Sequence, residues 1–426
     1  MNAMQQTPCI TGLGFITSIG NDRATVLNSL KEMKTGIRPH RFLGEADKSY
    51  VKVAGVIDGF DFSSSSWAGF RFPDSYEIPK ELRRSLPPHG YYAYCAAEQA
   101  LAEANLSKSD LSNPRIGLFC ASAGSPFLMR KYLNQMHDSF GRRGAPLGIV
   151  STISGTLNFI LASHLKIQGA STGFVSACSS SSHAIGYAID EIRLGRQDAI
   201  LVIGAEDFIA ETLLPFAAMN ALSKGTDSTA SRPWDNSRDG FVPTGGACAI
   251  LIESEAFAKK RGAPIQARLE GWGQSSDGYD MTSSHPEGAG LARAIQCALD
   301  SSGCTSDRID YINAHATSTP VGDSSEAKAL QTLFREQNLS PIISSTKGIT
   351  GHSLSMAGAM ETAFCALFLK EQFYSGNANL TEVDSSCEGL HLPTQSERAQ
   401  LKRIMSNSSG FGGSNVSLVL GAYEEN

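Results

Sequence analysis

Gly173-Phe-Val-Ser-Ala-Cys178-Ser-Ser-Ser-Ser-His183-Ala-Ile-Gly186 is the stretch on which the reading of this chain turns. A strand-like apolar segment ends in small residues, then one thiol, then the polar start of a helix. Ala184, Ile185, Ala188, Ile189 and Ile192 recur at helical spacing, with Asp190, Glu191 and Arg193 on the other face and Gly195 as a stop. Cys178 therefore stands at a helix N-terminus. Unpaired N–H groups and the helix dipole favour an anion there, which predicts a lowered thiol pKa and a place for a developing oxyanion. The neighbouring side chains are small, so a bulky acyl group has access. A lone cysteine is more often structural, and the local sequence leaves both uses open. His183 is the nearest base in sequence, but five residues along a helix turn about 140° around its axis. It reads as a packing histidine, and a working base must come from elsewhere.

Two other histidines have unusual settings. In Ile309-Asp-Tyr-Ile-Asn-Ala-His315-Ala-Thr-Ser-Thr-Pro320-Val-Gly-Asp323-Ser-Ser-Glu326, a short strand runs into a polar loop, and Asp323 and Glu326 open the next helix. In Pro341-Ile-Ile-Ser-Ser-Thr-Lys347-Gly-Ile-Thr-Gly-His352, an apolar strand again leads through a glycine-punctuated loop to a histidine. Strand ends before helices are where α/β proteins place chemistry. The helix from Met356 to Leu369 is nearly all apolar and carries one charge, Glu361. A carboxylate buried there needs a partner. Lys347 is the nearest cation upstream, so the two are expected to be linked beneath the histidines.

These segments occur in order with Asn407-Ser-Ser-Gly-Phe411-Gly-Gly-Ser-Asn415 and the scaffold-like Ala230-Ser-Arg-Pro-Trp-Asp-Asn-Ser-Arg-Asp-Gly-Phe241-Val. Over its whole length the chain resembles β-ketoacyl-[acyl-carrier-protein] synthases of the elongating (KAS I/II) type. The resemblance implies an α/β thiolase fold, with two similar α/β halves in a layered α-β-α-β-α core. Residues 1–258 would form the half with the nucleophile, and 259–426 the half with the two histidines. It implies decarboxylative condensation of an acyl thioester with malonyl-acyl-carrier protein, in fatty-acid or a specialised polyketide- or polyene-type synthesis. Cys178 would be the nucleophile, and His315 and His352 the decarboxylation and enolate pair. Lys347 and Glu361 would be their electrostatic support. Phe411 would be a gate ring, its backbone N–H joining that of Cys178 in an oxyanion hole. Thr317, Thr319 and Thr282 match positions that touch the phosphopantetheine arm, and Asp323 and Glu326 match an acidic pair grouped with them. No metal and no cofactor beyond the carrier protein's arm is implied. The partners would be acyl carrier protein and a second copy in a homodimer, and the setting cytoplasmic.

The chemistry agrees with the residues. A thiolate splits one hard acyl transfer into two easier ones. Two neutral imidazoles stabilise the oxygen that gains charge on decarboxylation. Two other readings stand beside this one. A non-catalytic chain-length partner of a heterodimeric synthase typically lacks the nucleophile. A CoA-dependent thiolase-like acyltransferase usually needs a second cysteine. The chain also departs from the family pattern. Ser409 stands where the family usually has a second aromatic ring, and Pro243-Thr-Gly-Gly-Ala247 replaces a segment that usually holds a glutamate. The strand-end loop from Cys120 to Phe127 departs from the usual glycine-rich form. These departures leave the acyl chain and the pathway open.

Composition sets the outer limits. At 426 residues the chain is long enough for two domain-sized units. Its net charge of −6 argues against a general nucleic-acid binder. Nine cysteines with no CxxC and no Cys/His metal spacing suit a reducing compartment better than a disulfide framework. The first twenty residues lack the pattern of a secretory signal. From Gly144 to Leu165 no residue is charged, yet Ser, Thr, Gly, Asn and Pro are too frequent for a membrane span. With Ile167 to Ile189, that run predicts burial in a core or a subunit interface. Gly12-x-Gly14 lacks the third glycine of a dinucleotide fingerprint. Lys80, Arg83 and Arg84 at i, i+3 and i+4 form a basic helix face that suits an acidic carrier protein or simply solvent.

Overall fold

One strand plan is used twice. The first half supplies β1 (Pro8–Ile16), β2 (Ile116–Ala121), β3 (Ser171–Phe174), β4 (Ala199–Glu206) and β5 (Gly246–Ser254). The second supplies β6 (Ala267–Ser276), β7 (Tyr311–Asn313), β8 (Ile342–Ser344), β9 (Arg403–Gly410) and β10 (Ser414–Ala422). Their order in the sheet is β8-β7-β9-β10-β6-β1-β5-β4-β2-β3. Adding five to each strand of β3-β2-β4-β5-β1 reproduces the other half. The parallel and antiparallel pairings repeat in the same places. The halves meet where Cys9 and Ile10 of β1 pair with Arg268 and Ala267 of β6. This computed structural model describes residues 6–40, 50–64, 67–144, 148 and 152–424.

The helices repeat as well. α1 (Pro88–Glu103), α2 (Leu157–Leu165) and α3 (Ser180–Arg193) serve the first half; α4 (Ala289–Ser302), α5 (Pro320–Leu333) and α6 (Ala357–Glu371) serve the second. Glycines set the closest contacts. A Cβ on Gly12 or Gly14 of β1 would lie 2.0 and 1.9 Å from the carbonyls of Ala100 and Ala96 in α1. On β6, Gly271 and Gly273 face Ala298 and Ala294 of α4 in the same manner. The Gly-x-Gly pairs therefore seat a helix on a strand and bind no nucleotide phosphate.

α3 and α6 form the central layer. They touch so closely that a Cβ on Gly358 would fall 1.9 Å from the Ser182 hydroxyl. α6 is apolar all round because it has no solvent face. Strand alternation feeds two cores at once. Ile200 and Val202 of β4 face α3 and α6, while Ala199, Leu201 and Ile203 face the outer layer with Tyr91 and Leu101 of α1. A third core holds α4 and α5 on the opposite face, with Leu291, Ile295 and Leu330. The result is the layered α-β-α-β-α arrangement.

Some boundaries differ from the sequence reading. α5 opens at Pro320, three residues before the expected Asp323, because proline suits a first helical turn. Asn407–Asn415 is a hairpin: β9 and β10 pair in register around Phe411-Gly412-Gly413. The expected join at 258/259 falls inside a short helix, Glu255–Lys260, between β5 and β6. Of the charge-free run, 145–147 and 149–151 lie outside the described residues. Much of the remainder is buried within the chain, including Leu157, Leu161 and Leu165 of α2 and Ala184, Ile185 and Ile189 of α3, but its edge is not. Ile153, Phe159 and Val175 are exposed, Val175 by 62 %, and β3 is an edge strand. Among the described residues no helix is long and apolar enough to cross a membrane.

Candidate active site

Equivalent connections in the two halves face one another. Cys178 lies between β3 and α3, and His352 between β8 and α6. The pairing of α3 with α6 brings these two loops together. His352 Nε2 lies 3.1 Å from Cys178 Sγ. His315, between β7 and α5, completes the group; its ring centroid is 5.3 Å from that of His352, nearly perpendicular to it. One donor atom from each of the three residues lies within 4.8 Å of the others. A single small molecule can therefore touch all three, and so could one soft metal ion. No sequence spacing shows this, because the loops are far apart in the chain.

Each member is held by its backbone. Ala177 adopts φ 51°, a left-handed conformation that non-glycine residues seldom take, and turns the chain sharply just before Cys178, which lines the cavity. Gly351, at φ 76°, turns the chain before His352. The His352 N–H then donates to Val242 O (2.7 Å), and its carbonyl accepts from Thr244 N (3.1 Å). Two residues earlier, Gly240 N donates to Ser318 O at 3.0 Å, and Arg232 N donates to the Ser318 hydroxyl. One scaffold segment, 232–244, thus clasps both histidine loops. Thr244, part of the departure from the family pattern, donates its hydroxyl to Gly55 O at 2.8 Å.

The acidic residues hold main chain. Glu326 accepts from the backbone N–H groups of His315 (3.0 Å) and Ala316 (2.7 Å), and from Asn407 Nδ2. Asp323 has no exposed surface, accepts from Trp234 N at 3.0 Å and lies 3.6 Å from Arg238 Nε. It takes no part in the cavity wall, which corrects its grouping with the substrate-binding residues. Glu326 reaches that wall with its carboxylate already committed to backbone. Burial pushes the carboxyl pKa values up, to about 7 for Glu326 and about 6 for Asp323. Lys347 and Glu361 are directly paired, both without exposed surface.

The electrostatics favour neutral imidazoles. Burial lowers the pKa of both His315 and His352 well below the ordinary value, and the Lys347 ammonium pushes in the same direction. The thiol corrects the sequence expectation. Burial pushes the Cys178 pKa up to about 12, against the pull of Lys347 and of the Phe411 backbone N–H that hydrogen-bonds the sulfur. Desolvation outweighs the helix terminus. The resting pair is a neutral thiol beside a neutral imidazole able to take its proton.

In front of Cys178 lies a cavity of about 320 Å³. Thr317 and Thr319, their hydroxyls 3.0 Å apart, line one side, and the exposed Thr282 lies across the opening. Phe411, 36 % exposed at the hairpin tip, packs its ring 5.9 Å from Phe216. A Cβ on Gly410 would lie 3.1 Å from Cys178 N, so only glycine leaves that backbone amide clear. His183 is turned away, with Nδ1 2.9 Å from the Ser176 hydroxyl. Lys80 is exposed, while the Arg83 and Arg84 guanidinium groups lie over the Trp67 ring at 5.9 and 5.5 Å. The helix there ends at Arg83, so the expected three-residue face is shorter than its spacing suggested.

Sequence reasoning missed several contributors. Phe241 places its ring against His352 at a centroid distance of 5.3 Å. Buried Glu206 bonds Ser355 just beyond His352 and opposes ionisation of Cys178. Glu206, at the end of β4, carried a readable signal: a lone carboxylate ending an apolar strand.

The sequence profile of the β-ketoacyl synthase N-terminal domain matches residues 8–258, and that of the C-terminal domain matches 266–381. The chain belongs to the β-ketoacyl synthase family. A similar relative is 3-oxoacyl-[acyl-carrier-protein] synthase 1 of Escherichia coli strain K12, 36 % identical over 417 residues, covering 96 % of this chain and 98 % of the relative. The synthase of the same description from Haemophilus influenzae is 37 % identical over 422 residues, covering 97 % and 98 %. Among solved structures, a β-ketoacyl synthase from Burkholderia phymatum STM815 superimposes with a TM-score of 0.89 at 30 % identity, covering 98 % of this chain and 100 % of that one. The ishigamide ketosynthase/chain length factor reaches 0.85 at 26 % identity, covering 99 % and 100 %. Family membership and the Cys-His-His cluster agree on a condensing acyltransferase.

Proposed function

We propose that the chain extends acyl chains held on acyl carrier protein by decarboxylative condensation with malonyl-acyl-carrier protein. The observation that carries this reading is the cluster of Cys178, His315 and His352 at one end of an open cavity. In the first step His352 takes the Cys178 proton and the sulfur attacks the acyl carbonyl. The carrier thioester bond breaks, a Cys178 thioester forms, and the pantetheine sulfur leaves with the proton. The amides of Cys178 and Phe411 hold the oxyanion.

Malonyl carrier protein then enters and loses carbon dioxide. The electron pair released becomes an enolate whose oxygen accepts from the two neutral imidazoles. Its carbon attacks the Cys178 thioester, a 3-oxoacyl carrier thioester forms, and the thiolate recovers a proton from solvent. The departing carbon dioxide drives carbon–carbon bond formation, so we infer no cofactor beyond the arm. Thr317, Thr319 and Thr282 would line the path of that arm. Lys80 and the Trp67-stacked arginines would offer charge to the acidic carrier.

We also propose a homodimer, acting in the cytoplasm. The uncharged edge strand β3, with exposed Val175, Ile153 and Phe159 beside it, suits pairing with its own copy. The join of the halves belongs near 258/259. Mass spectrometry after incubation with acyl carrier protein tests the function. An acyl adduct on Cys178, lost in Cys178→Ala, supports it. His315→Ala should still acylate but fail to decarboxylate malonyl carrier protein, whereas His352→Ala should acylate more slowly and also fail to decarboxylate. Condensation at the parent rate by either would refute the roles given.

A further inference from the structure

β4 ends at Glu206, and Asp207 follows it; both carboxylates are buried. Successive residues along a strand point to opposite faces, so the two reach different layers. Asp207 turns to α1, where its Oδ1 accepts from the backbone N–H of His89 and lies 2.8 Å from the His89 ring Nδ1. Glu206 turns to the central layer. There its Oε2 accepts from both the hydroxyl and the backbone N–H of Ser355, the latter at 3.3 Å. Glu206 Oε1 and Asp207 Oδ2 have no hydrogen-bond partner. Two neighbouring carboxylates in the interior are costly, and the condensation steps written above use neither.

Ser355 belongs to the turn Leu354–Met356, which joins His352 to α6. Leu354, between His352 and Ser355, adopts φ 50° and lines the cavity in front of Cys178. A leucine seldom takes that left-handed conformation and keeps it only where its surroundings over-determine it. The segment 232–244 holds His352 itself, and Glu206 holds the chain three residues later. The strand end comes close enough because Gly204 has no side chain: a Cβ there would lie 3.0 Å from Met356 Cα. Burial pushes the Glu206 carboxyl pKa up to about 7, and the Glu206 charge opposes ionisation of Cys178.

We propose that Glu206 is a positioning residue of the condensation: through Ser355 it fixes the turn behind His352, while Asp207 and His89 brace the same strand end from the other side of the sheet. This rests on the condensing activity proposed above. Glu206 touches neither substrate nor reacting atoms. Its effect on His352 is geometric and passes through two donors of one serine. Its effect on Cys178 is electrostatic, since one negative charge disfavours another nearby. The two effects are separable, because geometry can be removed without charge and charge without geometry.

Three variants of the full-length protein test the assignment by two readouts, condensation and alkylation of Cys178 by iodoacetamide at pH 9. Ser355→Ala keeps the carboxylate but loses the hydroxyl bond. Its kcat should fall about tenfold with KM for acyl carrier protein within about twofold, as expected for a misplaced catalytic group, and its alkylation should match the parent. Glu206→Gln keeps an acceptor for Ser355 but drops the charge. It should alkylate about three- to tenfold faster while keeping at least about one third of the parent kcat. Glu206→Ala loses both, so kcat should fall at least about tenfold while alkylation quickens. If Glu206→Ala does not fold, the other two decide. Condensation at the parent rate by Ser355→Ala, no faster alkylation in Glu206→Gln, or a glutamine variant as slow in condensation as the alanine variant would overturn the proposal. Failure of the parent protein to acylate Cys178 from acyl carrier protein would instead sink the condensing reading itself.

Discussion

Replacing Lys347 with methionine removes the cation that acts on both imidazoles and pairs with Glu361. Lys347 and Glu361 have no exposed side-chain surface. Breaking such a pair strands a charge in the interior and costs about 3–5 kcal/mol, whereas replacing both partners with apolar residues of similar size is often neutral. Lys347→Met and Glu361→Gln should therefore each destabilise the protein by about that amount. The double variant Lys347→Met/Glu361→Leu should return to within about 1 kcal/mol of the parent. The pH dependence has a definite sign. Burial already raises the Glu361 pKa, and Lys347 opposes the rise. Without Lys347 the folded carboxyl keeps a proton that the unfolded chain releases above about pH 4.3. The Lys347→Met deficit should then widen as pH rises from that value and shrink as pH falls towards it. Urea unfolding at pH 5 and pH 8 measures this. Carbon dioxide release from malonyl carrier protein measures the catalytic cost, and the double variant should stay slow although it is stable. Single variants within about 0.5 kcal/mol of the parent, or a double variant no more stable than the singles, would refute the account.

Three other outcomes follow from the geometry. Alkylation of Cys178 by iodoacetamide should keep accelerating above pH 9, because burial holds the thiol protonated up to about 12; a plateau near pH 7 would show a preformed thiolate. Gly410→Val should cut kcat by about 10²–10³ by covering the Cys178 amide, with little change in unfolding temperature if the hairpin tip gives way; unchanged turnover would remove that amide from the oxyanion hole. Zinc ion should inhibit by ligating Cys178, His315 and His352, and a chelator should restore activity rather than abolish it; loss of activity on chelation alone would make the cluster a metal site.

Much of the fold could be read from periodicity. The apolar run Ile116–Ala121 reads as a buried strand from its composition alone, and it is β2. β4, β5, β8 and α4 likewise fall on apolar runs or helical stripes, which report burial directly. β9 was hidden because Asn407 and Ser408 are buried polar residues whose partners lie elsewhere in the chain, Ser417 and Glu326 for Asn407 and Ser182 for Ser408. The duplication was hidden too. It survives in small marks, Gly12 and Gly14 against Ala96 and Ala100, and Gly271 and Gly273 against Ala294 and Ala298. Those marks gain meaning only once strand and helix are known to touch. Of the site, the thiol, both histidines and the buried ion pair stood out because each breaks its local pattern.

Local chemistry needs only neighbours along the chain, and the sequence determines it: a thiol before a helix, histidines at strand ends, a carboxylate in an apolar helix. Protonation does not follow from neighbours. The thiol expected to ionise easily is held neutral, because desolvation by distant segments exceeds the effect of one helix end. Only the three-dimensional packing of α3 on α6 sets Cys178 against His352, and only the meeting of β4 with the turn after His352 puts Glu206 against Ser355. Distance and burial are properties of the folded whole, and a linear order of residues carries neither.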